Sequence, residues 1–221
     1  MKRGDGAMAY DGVERTVVEQ PAAGRLAVED EMNKRLDMSV QPRVVESTDV
    51  YVGPIFTIKD QHIALRTTDG GDAVIRRQLI AHAPAVIMLP HDTERDLYLV
   101  EREYRVGRNA YVMGLPAGMI DAGEDPEAAM LRELREETGV IPDRYTALQA
   151  ADCYSSEGMT DEHAYTYVID LERWHEGEQD FDADEYVEYR WVTWDELVSC
   201  GVREAHSFIA IQYEMMRRMK R

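Results

Sequence analysis

Residues 125–139 constrain the fold more tightly than any other stretch, because they read as a helix with both ends marked. Asp125 is an N-cap residue type, Pro126 suits the first helical position, Glu127 puts a negative charge in the first turn, and Gly139 supplies the stop. Met130, Leu131 and Leu134 fall on one stripe, the face that a sheet buries. Around this helix lie short β-rich runs: VYVGPIFTI from Val50, HIALR, AVIRRQLIA, Ala85–Leu89, Leu97–Glu101, Tyr145–Tyr154, His163–Asp170 and Tyr186–Val192. Thr68-Asp69-Gly70-Gly71 is turn chemistry between the second and third runs, and Pro90 closes the fourth. Thr193 and Glu196 form a capping box that opens a short helix ending near Gly201. A last helix carries Phe208, Ile211, Gln212, Met215 and Met219 at mostly apolar i, i+3, i+4 positions. The expectation is an α+β chain, a sheet covered by helices.

The exposed flank of the 125–139 helix carries chemistry. At about 100° per residue, Glu133 and Glu137 are roughly 40° apart and Glu136 lies roughly 60° to the other side of Glu133. Like charges so placed weaken a helix and raise one another's pKa unless a cation sits among them. Arg132 and Arg135 are candidate partners, and a hard divalent cation answers the charge more fully. Oxygen donors without nearby Cys or His suit Mg²⁺ or Mn²⁺ rather than Zn²⁺. Taken alone, three glutamates on one flank read more readily as a solvated acidic face.

Charge narrows the functional classes. With 25 Lys+Arg against 43 Asp+Glu the chain carries −18, which opposes unaided binding to nucleic acid or an anionic membrane. An anionic substrate would therefore need a metal as intermediary. Cys153 and Cys200 are too few for a disulfide framework or a cysteine metal site. The start MKRGDGAMAYDG lacks the apolar segment of a signal peptide, so a cytoplasmic protein is expected. Residues 1–45 read as a loose extension with a short helical hint at Val28, Met32 and Leu36, residues 46–82 as a small antiparallel β unit, and residues 83–221 as the main domain.

From Gly118 the chain reads GMIDAGEDPEAAMLRELREETGV, which places Gly118, Glu124, Arg132, Glu133, Leu134, Glu136, Glu137, Gly139 and Val140 at fixed spacing. This resembles the Nudix box, G-x5-E-x7-R-E-U-x-E-E-x-G-U with U apolar, at every specified position. Chance agreement at its seven fixed sites is about one in 10⁸ per start point. The resemblance implies a Nudix α/β/α sandwich with a mixed sheet, and hydrolysis of a nucleoside diphosphate linked to another group. It also implies that Glu133 and Glu137 are the principal metal ligands, Glu136 a further ligand, and the carbonyl oxygen of Ala117 a backbone ligand. Arg132 and Glu124 are implied to orient the helix and loop through an ion pair, and Gly118 and Gly139 to permit close or left-handed backbone. About two or three Mg²⁺ or Mn²⁺ ions would neutralise the diphosphate and activate water.

The flanks VIRRQLIAHAPAVIMLP, LYLVEREYR, LPAGMIDAGE, YSSEGMTDEHAY and REAHSFIAIQYEMMRR are similar to the ADP-ribose pyrophosphatase group. That likeness implies a homodimer in which the N-terminal β unit is exchanged and the adenosine half of the substrate lies at the subunit boundary. By analogy Arg77 and Arg105 contact phosphate or ribose, and Phe56 or Tyr51 stacks on adenine. Ser155-Ser156-Glu157 departs from the group, many members of which carry a proline there, so ADP-sugars other than ADP-ribose stay open. The function implied is Mg²⁺-dependent hydrolysis of ADP-ribose or a related ADP-sugar to AMP and a sugar phosphate. The alternatives are a non-catalytic ADP-ribose sensor and a hydrolase of another nucleoside diphosphate derivative. Carboxylates committed to metal make poor proton acceptors, so the base is expected outside the box: Glu185, with Glu162 assisting or binding a metal or the terminal ribose. The six histidines show no pair at ligand spacing.

Overall fold

A computed structural model of the protein describes residues 36–180 and 187–220. The helical hint at Val28 and Met32, the candidate base Glu185, and Tyr186 lie outside the described residues. Two compact units are distinguishable, one comprising residues 36–45 with 62–75 and the other residues 46–61 with 76–220.

Strands β1 (Arg43–Val52), β2 (Phe56–Arg66) and β3 (Asp72–His82) form a three-stranded sheet in that order. The run VYVGPIFTI, read from sequence as one segment, is divided between two strands. Gly53-Pro54-Ile55 makes the turn, and the Gly53 amide donates to the Phe56 carbonyl at 3.0 Å. In the smaller unit, Thr67 and Gly71 close the next turn, where Gly70 adopts φ 86°. Arg66 donates there to the Gly70 carbonyl at 2.6 Å.

The larger unit contains a seven-stranded mixed sheet. Its strands are β4 (Ala85–Asp92), β5 (Leu97–Arg105), β6 (Ala110–Gly114), β7 (Ala117–Met119), β8 (Val140–Tyr154), β9 (His163–Glu176) and β10 (Glu188–Val192). The order is β10-β5-β4-β9-β8, with β6 beside β5 and β7 beside β4; β4 and β9 run parallel and the other pairs antiparallel. Helix α1 (Pro126–Thr138) covers one face, packing Met130 and Leu134 against Val86, Met88 and Leu99. Helices α2 (Trp194–Ser199) and α3 (Ala205–Arg218) cover the other, packing Leu197, Ala210 and Ile211 against Ile87, Leu89 and Val100. The alternation along β4 and β5 thus reads apolar on both faces, as a strand between two helical layers requires.

Three details differ from the sequence reading. Pro90 does not end β4: the strand continues to Asp92, and Pro90 has its register partner in β9, while pairing with β5 begins only at His91. A missing N–H is tolerated where no neighbour requires it. Strand β8 begins at Val140, directly after α1, and the short strands β6 and β7 were not anticipated.

A polar network pins α3 to the sheet. His91 lies between two carboxylates, its Nδ1 2.7 Å from Asp170 Oδ1 and its Nε2 3.0 Å from Asp96 Oδ1. Arg217 Nη2 donates to Asp170 at 2.7 Å, Arg218 Nη1 donates to Asp96 at 2.7 Å, and Tyr98 donates to Glu214 at 2.7 Å. Burial by itself would raise Asp170, but Arg217 and His91 hold its carboxyl well below the ordinary range. Arg218 does the same for Asp96.

Candidate active site

The site is built where α1 is launched from the sheet. Strand β7 brings Ala117 and Gly118 alongside β4, and a tight loop then turns the chain into the helix. In that loop Gly123 has φ 83° and Glu124 Oε2 accepts from the Asp121 amide at 3.0 Å. Asp125 caps the helix, accepting from the Glu127 and Ala128 amides at 3.0 and 3.2 Å. Gly139 ends it at φ 71°, its amide donating to the Arg135 carbonyl at 2.8 Å.

Arg132 holds the carboxylates of Glu124 in the loop and of Glu133 and Glu136 on α1. Its Nε and Nη2 donate to Glu124 at 2.9 and 2.8 Å, and Nη1 donates to Glu133 at 2.7 Å and Glu136 at 3.1 Å. Nη2 also donates to the Met119 carbonyl at 2.9 Å, tying the helix to the end of β7. Hydrogen bonds from Arg132 draw the Glu124 carboxyl down to about 2. Glu133 lies over Gly118, where a Cβ would stand 1.9 Å from its carboxylate carbon. Glu137, 6% exposed, accepts from the Ala117 amide at 3.2 Å.

Residues 177–180 cross the C-terminal turn of α1. Gln179 Nε2 donates to the Glu137 carbonyl at 2.6 Å, the Asp180 amide to the Glu136 carbonyl at 3.0 Å, and the Gly177 amide to the Gly139 carbonyl at 2.7 Å. The sequence offered no signal for these anchors beyond an acidic loop.

One buried group was missed by sequence reasoning. Glu101 of β5 is 1% exposed, and its Oε2 has no hydrogen-bond partner. Burial first, then the neighbouring carboxylates of Glu137 and Glu103, hold its carboxyl well above the ordinary range. The available signal was a glutamate closing a run, Leu97–Val100, that is apolar at every position.

The other candidates lie on the surrounding elements. Arg105 is ion-paired with Glu103. Arg77 donates to the Arg76 carbonyl at 2.9 Å, while Arg76 is committed to Asp60. The Tyr51 and Phe56 rings are neighbours, with centroids 5.6 Å apart. Glu162 ends the β8–β9 loop, with Oε1 3.6 Å from His82 Nδ1. That loop is fastened to β3 by the His82 amide donating to Asp161 at 2.9 Å and by Thr160 Oγ1 donating to the Ile80 carbonyl at 2.8 Å.

Among the described residues no three acidic, His or Cys side chains stand arranged to hold a metal ion. Arg132 occupies Glu133 and Glu136 instead. The donor set still fits a hard divalent cation: all its atoms are oxygens, Gly118 leaves room for the Glu133 carboxylate, and the Glu101 oxygen is buried without a partner.

Fold and site together define a Nudix domain. The NUDIX domain family model matches residues 81–219, and the chain belongs to the Nudix family. It is a Nudix hydrolase, related at modest identity to ADP-ribose pyrophosphatases. An ADP-ribose pyrophosphatase of Bacillus subtilis (strain 168) is 28% identical over 179 residues, covering 79% of this chain and 93% of the relative. A methanol dehydrogenase activator of Bacillus methanolicus is 30% identical over 142 residues, covering 62% and 75%. The crystal structure of an ADP compounds hydrolase matches the fold with a TM-score of 0.63 at 21% identity, covering 82% of this chain and 96% of that one. Nudix hydrolases generally use divalent metal ions. No helix among the described residues is long and apolar enough to cross a membrane.

Proposed function

We propose that this Nudix hydrolase cleaves the diphosphate of ADP-ribose or a related ADP-sugar, releasing AMP and a sugar phosphate. Glu133, Glu136, Glu137 and the Ala117 carbonyl oxygen would hold Mg²⁺, or Mn²⁺ in its place. The observation that carries the reading is the seating of Glu133 over Gly118 beside Glu137 on the Ala117 amide, which sets two carboxylates of the box against one short strand. A divalent ion held there would neutralise the diphosphate and make the attacking water more acidic. The similarity to the Bacillus subtilis ADP-ribose pyrophosphatase over most of both chains supports the substrate class.

The chain's own residues do the remaining work. The Ala117 amide orients Glu137, and Arg132 with Glu124 fixes the helix against its loop. Arg77 and Arg105 bind phosphate or ribose through planar donor forks, and Tyr51 or Phe56 stacks on the adenine. Glu185 takes the proton of the attacking water, with Glu162 assisting. The protein acts as a homodimer through its N-terminal β unit.

The test is a panel of ADP-ribose, ADP-glucose, NADH and diadenosine polyphosphates, incubated with Mg²⁺ and followed by AMP release. Turnover is expected for ADP-ribose or another ADP-sugar. Failure to turn over any member would overturn the reading, and binding of ADP-ribose without turnover would favour a sensor.

A further inference from the structure

We propose that Glu101 is a ligand for a divalent cation that it shares with Glu137, a cation position on the sheet-facing side of α1 that draws on a residue outside the 118–140 motif. The inference rests on the reading of the α1 flank as a divalent-cation site and adds a carboxylate to it.

Placement comes first. Along β5, Tyr98 and Val100 pack into the core under α2 and α3, while Leu99 packs into the core under α1. Alternation puts Glu101 on the face of Leu99. Its register partner on β10, Tyr189, packs against the same α1-side core. Its partner on β6 is Gly114, which brings no side chain; a Cβ there would lie 3.7 Å from Glu101 Oε1. The carboxylate is thus delivered into the layer between sheet and helix.

Charge comes second. The groups acting on Glu101 are Glu137 and Glu103, both acidic, and Arg105, which is ion-paired with Glu103. Two neighbouring carboxylates therefore act on Glu101 against a single guanidinium that Glu103 already engages. A buried carboxylate oxygen without a partner is costly, and glutamine or methionine would fill the space without that charge. A hard divalent cation supplies both the missing charge and the missing partner for Oε2.

The experiment titrates Mn²⁺ alone into metal-stripped protein, following heat and the electron paramagnetic resonance of free Mn²⁺, for the wild type and for Glu101→Gln, Glu101→Asp and Glu137→Gln. Glu101→Gln is expected to bind one ion fewer or to weaken one ion by at least about tenfold. In chelator it should melt no lower than the wild type, because a neutral amide removes the repulsion with Glu137, yet gain less on adding Mn²⁺. Glu101→Asp keeps the charge but is one methylene shorter, and is expected to bind Mn²⁺ with intermediate affinity. It carries the test if the glutamine variant does not fold. Wild-type stoichiometry and affinity within about twofold in the folded Glu101 variants, with Glu137→Gln impaired, would overturn this inference alone. Absence of Mn²⁺ binding by the wild type would overturn it together with the metal reading beneath it.

Discussion

The carboxylate of Glu133 occupies the space that a side chain at position 118 would fill, with a Cβ on Gly118 meeting the Glu133 carboxylate carbon at 1.9 Å and its oxygens at 2.2 and 2.3 Å. The obstructing atoms are the end of a flexible chain, so an alanine displaces the carboxylate rather than the backbone. Gly118→Ala is therefore expected to fold normally, with stability changed by less than about 1 kcal/mol, and to lose at least about 100-fold in kcat. Thermal melts and steady-state kinetics check both halves. A stable variant with full activity would show that Glu133 does not act from this position.

Glu137→Gln is expected to lower kcat by several orders of magnitude with little loss of stability. The amide oxygen of glutamine still accepts from the Ala117 N–H, but it is a poor donor to a hard cation. Activity within about tenfold of the wild type would contradict the metal role.

For the base, Glu162→Gln and Glu185→Gln are to be compared in kcat across pH at saturating Mg²⁺. The Glu185 variant should lose most of its rate and the alkaline-rising limb of its profile, with Glu162→Gln affected less. Wild-type rates and profiles in both would return water activation to the α1 cluster.

The network under α3 predicts acid sensitivity. Asp170 and Asp96 lie well below the ordinary carboxylate range when folded and near about 4 when unfolded. Their contribution is full above the unfolded value and is lost as pH falls from about 4 toward the folded values. Asp170→Asn is expected to cost about 3 kcal/mol at neutral pH, because Arg217 and His91 lose a buried partner, and to flatten the fall in Tm between pH about 5 and 2. An unchanged acid slope in melts across that range would remove Asp170 from the account.

Val50 and Val52 share one face of β1 by alternation and are 58% and 70% exposed. A three-stranded sheet showing such a face is expected to be covered by a second copy. Sedimentation should give a dimer at micromolar concentration, and Val50→Lys or Val52→Lys should shift it toward monomer.

What could be read ahead of the structure was local. Asp125, Pro126 and Gly139 bound α1 through hydrogen bonds and dihedral preferences confined to a few residues, so the helix was legible to the residue. The apolar runs from Ala85 and Leu97 announced strands, though Pro90 suggested a stop that only the register with β9 removes. Strands β6 and β7, with Gly114, Pro116 and Gly118 in or between them, are too short to show a period. Glu101 was invisible for a different reason. Its burial depends on Gly114 and Tyr189 lying opposite it, and sheet pairing of that kind leaves no trace in a local pattern.

Arg132 donates to Glu133 and Glu136 at once, with Glu124 holding the other side of the guanidinium. A cation entering the flank must therefore compete with a resident positive charge, and its apparent affinity is the difference between two ways of neutralising the same acids. The motif carries its own placeholder counter-ion, so three crowded glutamates can fold before any metal arrives. With Mg²⁺ or Mn²⁺ as the proposed ion, binding in the absence of substrate is therefore expected to be weak and readily exchanged.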